Sequence, residues 1–138
     1  MANVVYVDTN VVIDIVDSAR PLHRQSMEQI AHYMETDSEM AINSDTLSNL
    51  FYILTTRSTL DYADILTKMR LVEEVFTLIP ITSTDVRDVL DLCEADATPF
   101  KDYEDTMQYI CAQKAGAASI ITNDKTFVSP DISVESTD

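Results

Sequence analysis

A run of β-branched and aromatic residues, Val4-Val5-Tyr6-Val7, stops abruptly on a carboxylate, Asp8, and an apolar stretch resumes from Val11 to Val16. Such a run suits a strand buried on both faces, as the central strands of parallel α/β sheets are. Asp8 then falls at the carboxyl end of that strand, with Thr9 and Asn10 suited to a turn and to capping the helix that follows. Ligands of open α/β sheets bind along that edge. Two uses of the acid are open from this stretch. It is either a helix cap that satisfies backbone amides, or a group that holds a cation or polarises a substrate.

The rest of the chain alternates helical and strand patterns. Met27, Ile30, Ala31 and Met34 recur at i, i+3, i+4 and i+7, one apolar stripe of a helix over residues 24–35. A short strand at 40–42 follows, then a helix over 46–56, capped by Ser44 or Asp45, with Leu47, Leu50, Phe51 and Leu54 inward and Asn49 on another side. Asp61 opens a longer helix to Phe76. Pro80 places the next strand, 78–81, at a sheet edge or delays its start. A helix over 84–95 points Val86, Val89, Leu90 and Cys93 inward. Asp102 precedes a helix reading YEDTMQYICAQKA, and Gly116, the chain's only glycine, follows it where a left-handed residue is wanted. An Ile-rich strand, 117–122, ends on Asn123-Asp124. The pattern predicts an α/β fold: a single-domain three-layer α/β/α sandwich around a mostly parallel sheet of roughly five strands. The domain spans 1–138, with 128–138 a weakly ordered tail carrying at most a short strand at 132–134.

Composition narrows the chemistry. The 138 residues, 46% hydrophobic and 24% charged, suit one folded domain. No apolar run approaches the roughly 20 residues of a membrane helix, and no basic segment precedes an apolar core at the N-terminus, so a cytoplasmic protein with no membrane contact is expected. Cys93 and Cys111, with no CxxC or Cys/His spacing, read as free thiols rather than a zinc site. His23 and His32 likewise lack ligand spacing. The net charge of −15 excludes a broadly basic nucleic-acid surface. Any phosphate ligand requires bound cations, or a local cluster drawn from Arg20, Arg24, Arg57, Lys101 and Lys125.

Three acids occupy comparable places: Asp8 after the first strand, Asp105 in the first turn of a helix, and Asp124 after the Ile-rich strand. Asp102 and Asp105, three apart, share a helix face, where either also serves as a cap or a first-turn acid. If the first and the Ile-rich strands are neighbours, Asp8 and Asp124 leave the sheet at one edge. Packed carboxylates repel and their pKa values rise unless a divalent cation neutralises them, and such hard oxygen donors favour Mg²⁺ or Mn²⁺.

The segments VYVDTNVVID, INSDTLSNLFYIL and KDYEDTMQYICAQKAGAASIITND resemble the PIN-domain nucleases, a family that includes the VapC-type toxins of toxin–antitoxin pairs. The resemblance runs from Val4 to Phe127 and rests on the order and spacing of the segments together. It implies a Mg²⁺- or Mn²⁺-dependent endoribonuclease in which Asp8, Asp105 and Asp124 bind metal and carry catalysis. Asp102 matches an additional acid, Thr9 and Ser44 match supporting polar residues, and Gly116 matches a helix-ending glycine. Asn49 stands where the pattern usually has glutamate. It is retained in the catalytic set through its carbonyl oxygen or a metal-bound water, with Asp45, one turn earlier, open as a substitute carboxylate or as a cap. The implied partners are an RNA substrate, a cognate antitoxin and a second copy of the chain, the last through apolar candidates Ile53, Leu54, Leu66 and Met69. Two alternatives stand beside this reading: a PIN scaffold without turnover that binds RNA or protein, and a phosphoacceptor domain using Asp8 as nucleophile. The latter lacks a strand-end lysine and has Asn10 where a DxD spacing needs an acid.

Overall fold

The computed structural model describes residues 3–137. Its centre is β1 (Val4–Val7), paired in parallel with β2 (Glu39–Asn43) on one side and β4 (Ser119–Thr122) on the other. The edges are β3 (Thr77–Ile79), where Pro80 placed it, and β5 (Ser133–Ser136), giving a fully parallel order β3-β2-β1-β4-β5. β5 lies one residue later than the pattern suggested, and Asp138 falls outside the described residues.

The strand residues sort by parity, because successive side chains point to opposite faces. Val5, Val7, Met40, Ile42 and Ile121 pack under α1 (Thr9–Val16), α2 (His23–Glu35), α3 (Ser44–Arg57) and α4 (Tyr62–Val75). Tyr6, Ala41 and Ile120 pack on the opposite face with α5 (Ser83–Glu94) and α6 (Tyr103–Lys114). The result is the three-layer sandwich expected from the alternation of elements.

Helix ends follow local chemistry, with corrections. α3 is capped by neither Ser44 nor Asp45. The Asn43 carbonyl oxygen, at the end of β2, accepts from the Asp45 and Thr46 amides at 2.9 and 3.1 Å, because the strand delivers that side chain to the helix start. Thr82 and Asp85 cap α5 reciprocally. At the end of α6 the amide of Gly116 bonds the Gln113 carbonyl and that of Ala117 bonds Ala112, with Gly116 at φ 68. That is the reversal that favours glycine.

Several residues read as inward are not. Phe51 and Leu90 are exposed, as are Met27, Ala31 and Met34, because each helix touches the sheet along a stripe narrower than its apolar face. Conversely Leu54, a candidate for self-association, is fully buried in the core. Cys111 is a buried free thiol pushed up to about 12 by burial first, and Cys93 is free and partly buried. Among the described residues no helix is long and apolar enough to cross a membrane.

Candidate functional site

The strand order reverses direction between β1 and β4, the two strands that release Asp8 and Asp124, and crevices form where neighbouring connections leave to opposite sides. Asp8 is 3% exposed. It occupies the cap position of α1, yet its side chain caps nothing. Instead its Oδ2 accepts from Thr122 Oγ1 at 2.7 Å, and Thr122 Oγ1 in turn accepts the Asp124 amide at 3.0 Å. One buried hydroxyl therefore fixes both strand-end acids, a role absent from the sequence reading.

Asp105 reaches the same place from α6. Asp102 is the cap of that helix, its Oδ1 accepting the Asp105 amide at 2.9 Å, so it supports the site from the surface. α6 is held to β1 by a buried polar chain. Tyr6 Oη donates to Gln108 Oε1, Gln108 Nε2 donates to Thr9 Oγ1 at 2.6 Å, and the Thr9 and Thr46 hydroxyls pair at 3.2 Å. Thr9 is thus a supporting residue. Ser44 sits elsewhere, its Oγ accepting the Ile81 amide at 3.1 Å and tying α3 to the β3–α5 connection.

The electrostatics are those of a crowded anionic pocket. Burial lifts Asp8 to about 6, offset by the Thr122 and Thr9 hydrogen bonds and reinforced by Asp124 and Glu104. Asp105 rises to about 7, from burial, then the charges of Asp8, Asp102 and Asp124, and a hydrogen bond with Asp124. Asp124 is held below the ordinary carboxylate range because the Thr126 amide and hydroxyl donate to it, at 2.9 and 2.8 Å. Of the two, Asp124 is the more readily ionised and Asp105 the more readily protonated. Asp105 and Asp124 open onto a cavity of about 340 Å³ that Phe100 and Lys101 also line.

Asn49 does not leave a gap in charge. Its Nδ2 donates to Glu104 Oε1 at 2.7 Å, so α6 supplies a carboxylate where α3 has an amide. Asp45, the substitute considered from sequence, is exposed, and its field is felt at Cys111 instead. Glu104 was missed because nothing in a one-dimensional pattern pairs residues 49 and 104. The third layer of support, also missed, is Asp14, 2% exposed, which binds Arg20 Nε at 2.7 Å, Ser26 Oγ at 3.1 Å and Asn123 Nδ2 at 2.6 Å.

The donors fit a hard divalent cation in kind, being all carboxylate or amide oxygen, with two acids driven toward protonation by their neighbours. Among the described residues no three acidic, imidazole or thiol groups already close on one point, so full coordination requires side-chain adjustment.

A stability prediction follows from the sign of the shifts. Asp8 and Asp105 are raised in the fold from about 4 in the unfolded chain, so their contribution is fully present below pH ~4 and lost as pH rises through about 6 and 7. Asp124, held low, changes only below that window. Denaturation in chelator should show stability falling from pH 5 to pH 8, by ~1.4 kcal/mol from Asp8, the rest of its contribution being lost between pH ~4 and 5. A profile that is flat or rises with pH contradicts the described crowding.

Comparison with known proteins places the whole chain in a family. Residues 5–132 match the model of the PIN domain. The chain is 36% identical over 134 residues to Ribonuclease VapC1 of Aquifex aeolicus, covering 97% of this chain and 90% of that protein. It is similar in fold to the toxin–antitoxin complex from Klebsiella pneumoniae, with TM-score 0.70, 18% identity and coverage of 96% and 97% of the two chains. It is also similar to DNA-bound VapBC from Salmonella typhimurium, with TM-score 0.68, 21% identity and coverage of 99% of each chain. A further likeness is to VapC20 of Mycobacterium tuberculosis, described as a Sarcin-Ricin loop cleaving toxin, with TM-score 0.66, 12% identity and coverage of 84% and 86%. With the match running along nearly all of the sequence, the chain belongs to the PIN-domain family.

Proposed function

We propose that the protein is a metal-dependent endoribonuclease that hydrolyses RNA phosphodiester bonds, the toxin half of a toxin–antitoxin pair. The observation that carries the reading is the convergence of Asp8, Asp105 and Asp124, from three elements remote in sequence, on one charge-strained edge of the sheet. The likeness to a ribonuclease at 36% identity supports the substrate class.

Asp8, Asp105 and Asp124 are the residues that would hold Mg²⁺ or Mn²⁺. When bound there, the ion would supply a lowered pKa for a water and an offset to charge on the scissile phosphate. The protein's own contribution is positioning. Thr122 holds Asp8, and Thr126 keeps Asp124 ionised with its outer lone pairs available. Asp105 would have to be ionised to hold the ion. Asn49 and Glu104, fastened to each other, orient groups at the rim. The scaffold alternative drew on Asn49 as a lost carboxylate, and the Glu104 partner removes that argument.

The antitoxin reading is supported by surface the chain leaves bare. An apolar groove of about 270 Å³ runs between α2 and α4, lined by Met27, Met34, Leu71, Val72, Val75 and Phe76. Contiguous exposed apolar surface of this kind marks protein contact. A cytoplasmic site of action accords with free Cys93 and Cys111.

The test is incubation of the purified chain with single-stranded and structured RNA in Mg²⁺, Mn²⁺ and EDTA. Cleavage is expected with either metal, and chelation should reduce it to background. Equal cleavage in EDTA, or none under any metal, overturns the reading.

A further inference from the structure

Asn49 and Glu104 line a second cavity, of about 370 Å³, together with Thr9, Arg20, Tyr52 and Arg57. Its composition runs against the rest of the molecule. Only 9 of the 138 residues are basic against 24 acidic, yet two guanidinium groups share this one cavity beside the acidic edge. Arg20 is rigid and partly spent: its Nε is committed to buried Asp14 at 2.7 Å, and its terminal nitrogens make none of the described hydrogen bonds. Arg57 is exposed, in the last turn of α3, and has no ion pair among the described residues. Tyr52 is 60% exposed, a large aromatic face left in solvent at the same cavity.

A pre-set guanidinium, an unpaired guanidinium and an open aromatic ring, next to carboxylates reserved for metal, are the parts of a nucleotide subsite. Guanidinium groups bind phosphate oxygens in a fork geometry, and exposed aromatic rings stack single-stranded bases of any identity. We propose that this cavity seats the nucleotide beside the scissile bond of single-stranded RNA, with its phosphate on Arg20 and Arg57 and its base on Tyr52. The proposal rests on the ribonuclease reading. It also explains how so acidic a protein holds a polyanion: phosphate would be met by metal at the acids and by arginine in the cavity that Asn49 and Glu104 line.

The experiment is a fluorescence anisotropy titration of a 5′-labelled ten-nucleotide single-stranded RNA, checked intact afterwards, in EDTA and in Mg²⁺, from 50 to 200 mM salt. Arg57→Ala, on an exposed turn, is expected to weaken binding about tenfold and to lower the slope of log affinity against log salt by ~0.7. Tyr52→Ala should weaken binding about tenfold with the slope unchanged. Polyglutamate of matched charge should compete poorly. The proposal is overturned if the RNA fails to bind the intact chain, if both variants bind as it does, or if polyglutamate competes as well as RNA. The two readings separate on cleavage. RNA that is bound through Arg57 but never cut under Mg²⁺ or Mn²⁺ removes the ribonuclease reading and keeps the subsite. RNA cut with an unchanged KM by Arg57→Ala removes the subsite and keeps the ribonuclease.

Discussion

Asp8→Asn should abolish RNA cleavage while making the metal-free protein more stable. The substitution keeps an oxygen acceptor for Thr122 Oγ1, now at 2.7 Å from Asp8 Oδ2, and fits the same buried volume. What it removes is a charge that burial already disfavours, enough to lift the carboxyl to about 6. On the proposed reading Asp8 holds the metal, and its loss removes several kcal/mol of transition-state stabilisation, so cleavage in Mn²⁺ should fall by at least ~10³-fold. At pH 8 in chelator the same variant should unfold at higher denaturant by up to ~3 kcal/mol, since it no longer buries an anion. Activity and stability moving in opposite directions separates a lost function from a lost fold. Cleavage within tenfold of the parent would remove Asp8 from the centre.

The second large effect is on stability. Asp14→Ala should cost ~3 kcal/mol, the low end for breaking a buried pair, because Arg20 is about one-third exposed and recovers some hydration. The carboxylate is the common acceptor for α1, α2 and the turn after β4, and its removal also strands Ser26 Oγ and Asn123 Nδ2. Urea denaturation with an unchanged m-value should report the loss. Asn123 adjoins Asp124, so the variant that remains folded should also cleave less. A cost under ~1 kcal/mol would show that these contacts do not hold the turn.

How much of this was legible without coordinates divides along contact range. β1 and Asp8 were readable because a β-branched run ending in an acid is a local signal, and Gly116 because its left-handed turn is a backbone requirement. The pairing of β1 with β4 stood in the sequence only as a condition, because parallel α/β logic does not fix strand order; the structure meets it and brings Asp124 to the edge of Asp8. Glu104 against Asn49 and Asp14 against Asn123 were not legible, because each joins residues 55 or 109 positions apart with no periodicity to mark them. Asn43 as the cap of α3 was local but masked, since it also ends a strand. Phe51 and Leu90 were misplaced because hydrophobicity sets a stripe's direction and leaves its width to the neighbouring helices.

The chain Tyr6–Gln108–Thr9 joins the first strand made to the helix that carries Asp105, and Thr122 joins Asp8 to a strand made later still. During translation, then, a growing polypeptide exposes Asp8 early but has nothing to set beside it until α6 and β4 have left the ribosome. The acidic edge is therefore a late product of synthesis: its three carboxylates meet only once the chain through β4 is free to fold.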